Sequence, residues 1–379
     1  MDIDLVFILS TAVKIILFTF VISLLMVAYA TYAERRVSAI IQDRVGPNRT
    51  GIPLTLFGGK KDWHFFGLIQ PIADGVKNLL KEDFTPAHVR KFFFWIAPAL
   101  TLIPAFLCLA VIPFGSSVTL PTGDEIKLVI ADIDIGPLFV FAIASLSVYG
   151  ITIAGWASNN KYSFLGGVRS TAQMISYEIA MGLSIIPVLM VYGHLNLNNI
   201  VQYQAENGWL LLPLWKDGVF GFYLQNLLLW IPMFISFVIF LTAVFAETNR
   251  MPFDLPECET ELVGGYHTEY SSMKFAMFFM GEYCAMIVGS ALVVTLFFGG
   301  WAVGIPAVDS AISEMAWGGI IHLLVFLVKV VAFIVTFIWV RWTVPRFKFD
   351  QLMKLGWVIF FELAVVNIVI AALILFYVK

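Results

Sequence analysis

Three glutamates interrupt stretches that are otherwise apolar: Glu178 in AQMISYEIAMG, Glu282 in FFMGEYCAM and Glu362 in IFFELAV. A carboxyl in hydrocarbon costs on the order of a few kcal/mol unless it is paired, hydrated or protonated, so each is a functional hypothesis by default. Carboxyls at similar depth on different helices can converge on a hydrated chain and relay protons. The plain alternative is a protonated carboxyl bonded to a neighbouring helix, and that reading is preferred for Glu362, which has no motif around it. Lys329, near the middle of another apolar stretch, is expected to neutralise one of these carboxyls or to carry charge toward a partner. Lys14 lies shallower and is expected to snorkel to the interface.

Two polar constellations accompany them. In AETNRMPFDLPECETELVGGYHTEY, the carboxylates Glu247, Asp254, Glu257, Glu259, Glu261 and Glu269 crowd into 23 residues with Arg250 as the only Lys or Arg. Pro252, Phe253, Leu255 and Pro256 interrupt the acidic run and predict a folded turn at a membrane surface, able to feed protons to Glu247 and the deeper glutamates. In YAERRVSAIIQDRVGPNRTG, a membrane span ends at Glu34, Arg35 and Arg36, and a short separate helix leads to a Gly-Pro turn. QPIADGVKNLLKEDFTP then predicts an amphipathic helix with Ile72, Val76, Leu79 and Leu80 on one face and Asp74, Lys77 and Lys81 on the polar side. Such a helix can roof a cavity with apolar walls and a charged inner end, a shape suited to a long-tailed lipid-like ligand such as a quinone.

The elements that must position these groups are membrane helices. Of 379 residues, 60% are hydrophobic and 13% charged, a balance that a water-soluble core could not hide. Segments of about 20 apolar residues, the length that crosses a bilayer, recur eight times: 6 to 32, 93 to 115, 136 to 157, 171 to 193, 225 to 247, 273 to 299, 318 to 341 and 356 to 378. The fold class is therefore all-α, a single polytopic membrane domain over 1 to 379 with interfacial helices. The connections after the odd-numbered spans, with their boundary residues, hold 18 of the 23 Lys and Arg; the positive-inside rule then places both termini on the outer, periplasmic face and the functional loops 33 to 92 and 248 to 272 inside. The first span is expected to be retained as an anchor, not cleaved as a signal peptide. The connection 116 to 135, with Asp124, Glu125, Asp132 and Asp134, reads as a solvated loop. Residues 194 to 224, with Trp209, Trp215 and Tyr223, read as an interfacial segment.

Several chemistries find no support. A net charge of -3 gives no basic field for nucleic acid. Cys108, Cys258 and Cys284 have neither the spacing of a disulfide framework nor that of an iron-sulfur site, and free thiols are expected. His194 and His322 are read as hydrogen-bonded packing residues, not haem ligands. No metal or covalently bound cofactor is expected, and the chain is not expected to carry electrons.

Five stretches together resemble the H family of membrane subunits in respiratory complex I, the NADH-quinone oxidoreductases: AERRVSAIIQDRVGPN, QPIADGVKNLLKEDFTP, AGWASNNKYSFLGGVRSTAQMISYEIAMG, AETNRMPFDLPECETELVGGYHTEYSSMKFAMFFMGEY and RWTVPRFKFDQLMKLGW. The resemblance implies eight core helices at the junction of a membrane arm and a hydrophilic arm. It implies a quinone tunnel lined near Glu34, Arg35, Asp74 and Arg250, with quinone as the substrate. It gives Glu178, Glu247 and Glu282 as buried carboxylates of a proton path, and Glu257, Glu259 and Glu261 as its acidic-loop members. NADH and the iron-sulfur clusters would sit on partner subunits, and further partners would be small and antiporter-like membrane subunits, quinone and lipid. The chain departs from the family in a longer 51 to 68, enlarged 116 to 135 and 194 to 224, and Cys258 in place of a small residue. The rival with the same scaffold is the anchor subunit of energy-converting hydrogenases; the GPN and ETNR loops favour the respiratory form. A stand-alone transporter would be active as a single chain, and a lipid-binding scaffold would tolerate loss of the deep glutamates.

Overall fold

A computed structural model describes residues 5–51, 64, 66–119, 125–209, 211, 215–216, 219–220, 224–257, 259–315 and 317–378. Eight helices in it are long and apolar enough to cross a membrane. The first, α1 (Phe7–Ile41), is 35 residues long, about 52 Å at 1.5 Å per residue, well beyond the roughly 30 Å of a bilayer core. It passes through a π-helical stretch at Ile15–Ile22 and continues without a break past Glu34, Arg35 and Arg36. The expected break at residue 32 is therefore corrected: the charged trio rides on the same rigid rod that crosses the membrane. Nothing in its sequence stops it, since neither Gly nor Pro occurs before Gly46.

After the predicted amphipathic helix α2 (Gln70–Leu80) come α3 (Lys91–Cys108), α4 (Gly136–Ala157) and α5 (Lys161–Tyr192). The last begins ten residues before the expected start at 171. Asn160 caps it, its side chain accepting from the Tyr162 amide at 3.0 Å, and Gly193 ends it at φ 70°, the left-handed geometry that glycine tolerates. The amphipathic α6 (Leu197–Asn207) lies in the predicted interfacial segment and is capped by Asn196. Then follow α7 (Leu224–Glu247), the single turn α8 (Glu259–Leu262), α9 (Ser272–Phe297), α10 (Pro306–Ser313), α11 (Gly318–Thr343) and α12 (Phe349–Tyr377).

The bundle is organised around α9. Helices α1, α2, α3, α6, α7 and α11 all touch it, and most of its side chains are buried. Glycines permit the tightest approaches. A Cβ on Gly150 of α4 would lie 2.8 Å from the Thr101 amide of α3, and one on Gly289 of α9 would lie 2.2 Å from Val244 of α7. By contrast α1, α11 and α12 present rows of exposed aliphatic and aromatic side chains, as helices facing lipid or other apolar partners do.

The connections also carry structure. Between α3 and α4 the acidic Glu125, Asp132 and Asp134 are exposed, as expected of a solvated loop, but the connection also carries regular structure. A short hairpin, β1 (Ser117–Thr119) paired antiparallel with β2 (Glu125–Lys127), is flanked by the buried Ile112, Phe114 and Val129. Phe114 stacks on Phe18 of α1 at 4.4 Å, and Lys14 Nζ donates to the Val129 carbonyl at 2.9 Å, so the lysine holds this connection. Asp124 and Tyr223 lie outside the described residues. On the other face, the acidic connection folds onto α5. Gln173 Nε2 donates to the carbonyls of Ala246 and Phe253 at 2.8 and 2.7 Å, and Ser163 Oγ donates to that of Gly265 at 3.1 Å.

Gly265 sits at φ 61°, and a Cβ there would meet the Pro256 carbonyl oxygen at 1.7 Å. Gly265→Ala adds that collision to a left-handed penalty of about 1–2 kcal/mol, so amide hydrogen exchange across residues 250 to 268 is expected to accelerate by about tenfold or more; protection equal to wild type would show that the turn does not hold the connection.

Candidate functional site

A guanidinium is the centre of the site. Arg250 follows α7 by three residues, and its side chain is only 5% exposed. It reaches Glu34 Oε2 on α1 at 3.4 Å and Glu282 Oε2 on α9 at 3.3 Å, with its Cζ 4.1 Å above the Tyr283 ring. Tyr283 donates its hydroxyl to the same Glu34 oxygen at 2.5 Å, and Arg341, at the end of α11, pairs with the other Glu34 oxygen. Burial opposes the charge on Arg250, but Glu282, Tyr283, Glu34 and Glu257 outweigh it and hold the guanidinium protonated above its ordinary range. Four elements, α1, the acidic connection, α9 and α11, thus meet at one cluster of charges.

The cluster separates two cavities. One, of about 650 Å³, lies between α1, α2 and α9, with Arg341 and Trp342 at its end. Val27, Leu79, Phe275, Phe279 and Met280 supply apolar wall; Glu34, Arg35 and Asp74 supply the charge. Arg35 Nη1 and Asp74 Oδ2 form an ion pair at 2.6 Å, and Gln70 Nε2 donates to Asp74 Oδ1 at 3.0 Å, fixing α2 over the opening. The size and the mix of apolar wall with a few convergent polar groups suit a single amphiphilic molecule.

The second cavity is about 70 Å³ and is lined by Glu247, Asn249, Tyr266 and Glu282 with Thr101 and Ser147. It can hold a few water molecules. Glu178, half-buried on α5, is near enough to Glu247 for their charges to interact. Glu257 interacts in the same way with Glu282. Glu257 also lies 3.6 Å from His267 Nδ1.

The predicted residues therefore divide. Glu34, Arg250, Glu282 and Glu257 come together, Arg35 joins Asp74, and Glu178 joins Glu247. Glu261 stands apart on the surface in an ion pair with Arg169 at 2.7 Å. The backbone of Glu259 is in α8, but its side chain lies outside the described residues, as does Cys258. Glu362 is exposed and is not among the residues that line the small cavity. Lys329 forms no ion pair with these carboxyls among the described residues: Nζ donates to the carbonyls of Phe298 and Gly300 at 2.8 and 3.0 Å and to that of Ala302. Cys108 and Cys284 are buried free thiols.

Sequence reasoning missed Tyr283, Arg341 and Arg346. Tyr283 is adjacent to Glu282, and on a helix its hydroxyl can reach a different neighbour. The two arginines occur in RWTVPRF, a cationic segment just past an apolar span that invited a search for an anionic counterpart. That counterpart is Asp254, which accepts from Arg346 Nη2 at 2.7 Å, while the Phe347 amide donates to the Pro252 carbonyl at 3.3 Å.

Burial and, secondarily, Glu257 push the Asp254 carboxyl up to about 7, even though Arg346 and Arg341 pull it down. A carboxyl raised in the folded state holds a proton that the unfolded chain has released, so its contribution is fullest below the ordinary carboxylate range and is lost as pH rises toward about 7. The connection should accordingly lose hydrogen-exchange protection between about pH 4 and 7, whereas Asp254→Asn should flatten that dependence; an unaltered profile in the variant would exclude Asp254 as its source.

A sequence model of the NADH dehydrogenase family matches residues 13–372. An NADH-quinone oxidoreductase H subunit of Cytophaga hutchinsonii is 45% identical over 380 residues, covering 99% of this chain and all of that protein. The corresponding H subunit of Leptospira biflexa is 48% identical, covering 93% of this chain and 91% of its own, and one from Geobacter sulfurreducens is 44% identical with 96% of each chain covered. With the match running through all eight membrane helices, the chain belongs to the NADH dehydrogenase family, among the H subunits of NADH-quinone oxidoreductase.

Proposed function

We propose that this chain is the membrane subunit of a proton-pumping NADH:quinone oxidoreductase that holds the quinone head and passes the effect of its reduction to buried glutamates. The observation that carries this reading is Arg250, bound on one side to Glu34 in the large cavity and on the other to Glu282 in the small one. NADH oxidation and electron delivery through iron-sulfur clusters belong to partner subunits in this reading. The chain itself is not catalytic alone. Its other neighbours are the small and antiporter-like membrane subunits, and its location is the inner membrane of a bacterium with both termini periplasmic.

The physics of the cluster supports coupling. A quinone that gains electrons at the charged end of the large cavity brings negative charge or withdraws protons beside Glu34, Arg341 and Tyr283. Each event changes how strongly Arg250 is held on that side. In a buried site such changes are weakly screened, so the Arg250–Glu282 contact and the proton balance of Glu282 with Glu257 respond. Glu247, in the same small cavity as Glu282, and Glu178 extend the path into the membrane. The acidic connection 248–272 is the two-state element, because it carries Arg250, Asp254 and Glu257 at once.

Arg35 and Asp74 are partly exposed, so their ion pair is worth only about 0–1 kcal/mol to folding, and losing it should not impair assembly. Arg35→Ala or Asp74→Ala should raise the KM for quinone by about tenfold while NADH oxidation by a soluble acceptor continues unchanged; equal loss of both activities would mean misassembly and would remove the pair from the quinone site. Glu282→Gln in the assembled complex should lower the number of protons pumped per NADH, and a normal ratio would exclude Glu282 from the path.

A further inference from the structure

The face opposite the Arg250 cluster has its own buried titratable group, which none of the foregoing uses. There a cavity of about 890 Å³ is lined by Ser116, Glu125, Lys127, Glu206, Trp301 and Asp309. Asp309 is 3% exposed and Trp301 5%, and the indole Nε1–H of Trp301 finds no hydrogen-bond partner among the described residues. Behind them lies His322 of α11, fully buried. Its Nδ1 is 2.8 Å from Ser116 Oγ, its Nε2 is 3.7 Å from Asp309 Oδ1, and its ring lies 4.4 Å from that of Trp301.

Asp309 does a second job. The same Oδ1 accepts from the Val303 amide at 2.7 Å, and Oδ2 accepts from the Gly304 amide at 3.0 Å, so the carboxylate ties down the turn that follows α9. Lys329 ties that turn from the other side: its ammonium has three protons and meets the three carbonyls of Phe298, Gly300 and Ala302. With these contacts Lys329 braces the turn from the α11 side. At 3.7 Å, His322 Nε2 is beyond a direct hydrogen bond to Asp309. A proton on His322 changes this, because imidazolium attracts the one oxygen that the Val303 amide already uses.

We propose that Asp309 and His322 form a proton-binding site open to the face opposite the Arg250 cluster, and that its occupancy sets how firmly the turn 298–304 holds the end of α9. The proton comes from water in the cavity and binds one ring nitrogen of His322; the charge it brings is balanced by Asp309. The charged groups around the pair are Lys329 on α11, Glu125 and Lys127 on β2, Glu206 on α6, Glu314 after α10, and Asp132, which pairs with Lys127 at 3.1 Å. The consequence for turnover rests on the proposed function, since α9 is the helix that carries Glu282. The site would let the proton concentration of the opposite compartment act back on the coupling helix.

Deuterium exchange at the imidazole C2 position, read by mass spectrometry on the intact complex between about pH 5 and 8, tests the site without turnover. His322 should exchange within about tenfold of a free histidine peptide, with a pH-dependent rate whose midpoint Asp309→Asn lowers. No label on His322 while the peptide exchanges to completion, or an unmoved midpoint in the variant, overturns the site. Amide exchange over residues 298–304 should rise by about tenfold below the midpoint in wild type and stay constant in His322→Gln; a pH-independent turn in wild type overturns the link to α9. Because neither readout depends on proton pumping, failure of the glutamate path would leave the His322 titration intact, and the two ideas fail separately.

Discussion

A buried arginine sets the terms for this protein. Arg250 cannot lose its charge, and taking it out of water is tolerable only because carboxylates from two different helices close around it. Removing one partner from such a group costs about 3–5 kcal/mol, so α1, α9 and the connection after α7 cannot drift apart without exposing a charge to hydrocarbon. Arg341 extends the same constraint to α11. The glycine contacts that bring α9 against α7, and α4 against α3, close the bundle; the arginine cluster decides which ends of those helices meet.

This constraint explains why the acidic connection is folded and not a solvated tether. Its backbone bonds to Gln173 and Ser163 on α5, its Asp254 pairs with Arg346, and its Arg250 occupies the membrane cluster. Attractions and repulsions alternate along it: Asp254 sits beside Arg346 but also beside Glu257. In the proposed function, this balance of opposed charges is what lets the connection respond to a change of charge in the cavity. An all-apolar plug of the same shape would hold the helices at least as well and could respond to nothing.

Much of the fold was legible because membrane helices announce themselves by length and hydropathy, and all eight fall where apolar runs predict them. Their ends were less legible. The first helix continues through Glu34–Arg36 because a charged trio does not stop a helix that has left the hydrocarbon, and α5 starts early because Asn160 caps it and because Gly166 and Gly167, though poor helix formers, let its first turns pack closely on the acidic connection and on α4. In the site, Glu34, Arg250 and Glu282 were readable as charges out of place, with motif resemblance to support them. Their mutual contact was not, because residues 34, 250 and 282 meet only through tertiary packing. Lys329 shows the limit of the rule that a membrane charge seeks an opposite charge: three backbone carbonyls at the end of a neighbouring helix serve instead. The hairpin after α3 escaped notice because its strands are three residues each, too short to show alternation.

The central claim is that the large cavity and the glutamate path are linked through Arg250. A double-mutant cycle on the KM for quinone, using Glu34→Gln, Glu282→Gln and the pair in assembled complexes, measures that link directly. Glu282 lines the small cavity and does not line the large one, so a direct effect on quinone is not expected from its removal. The account predicts a coupling energy of about 1 kcal/mol or more between the two sites; effects that add within about 0.5 kcal/mol would contradict it.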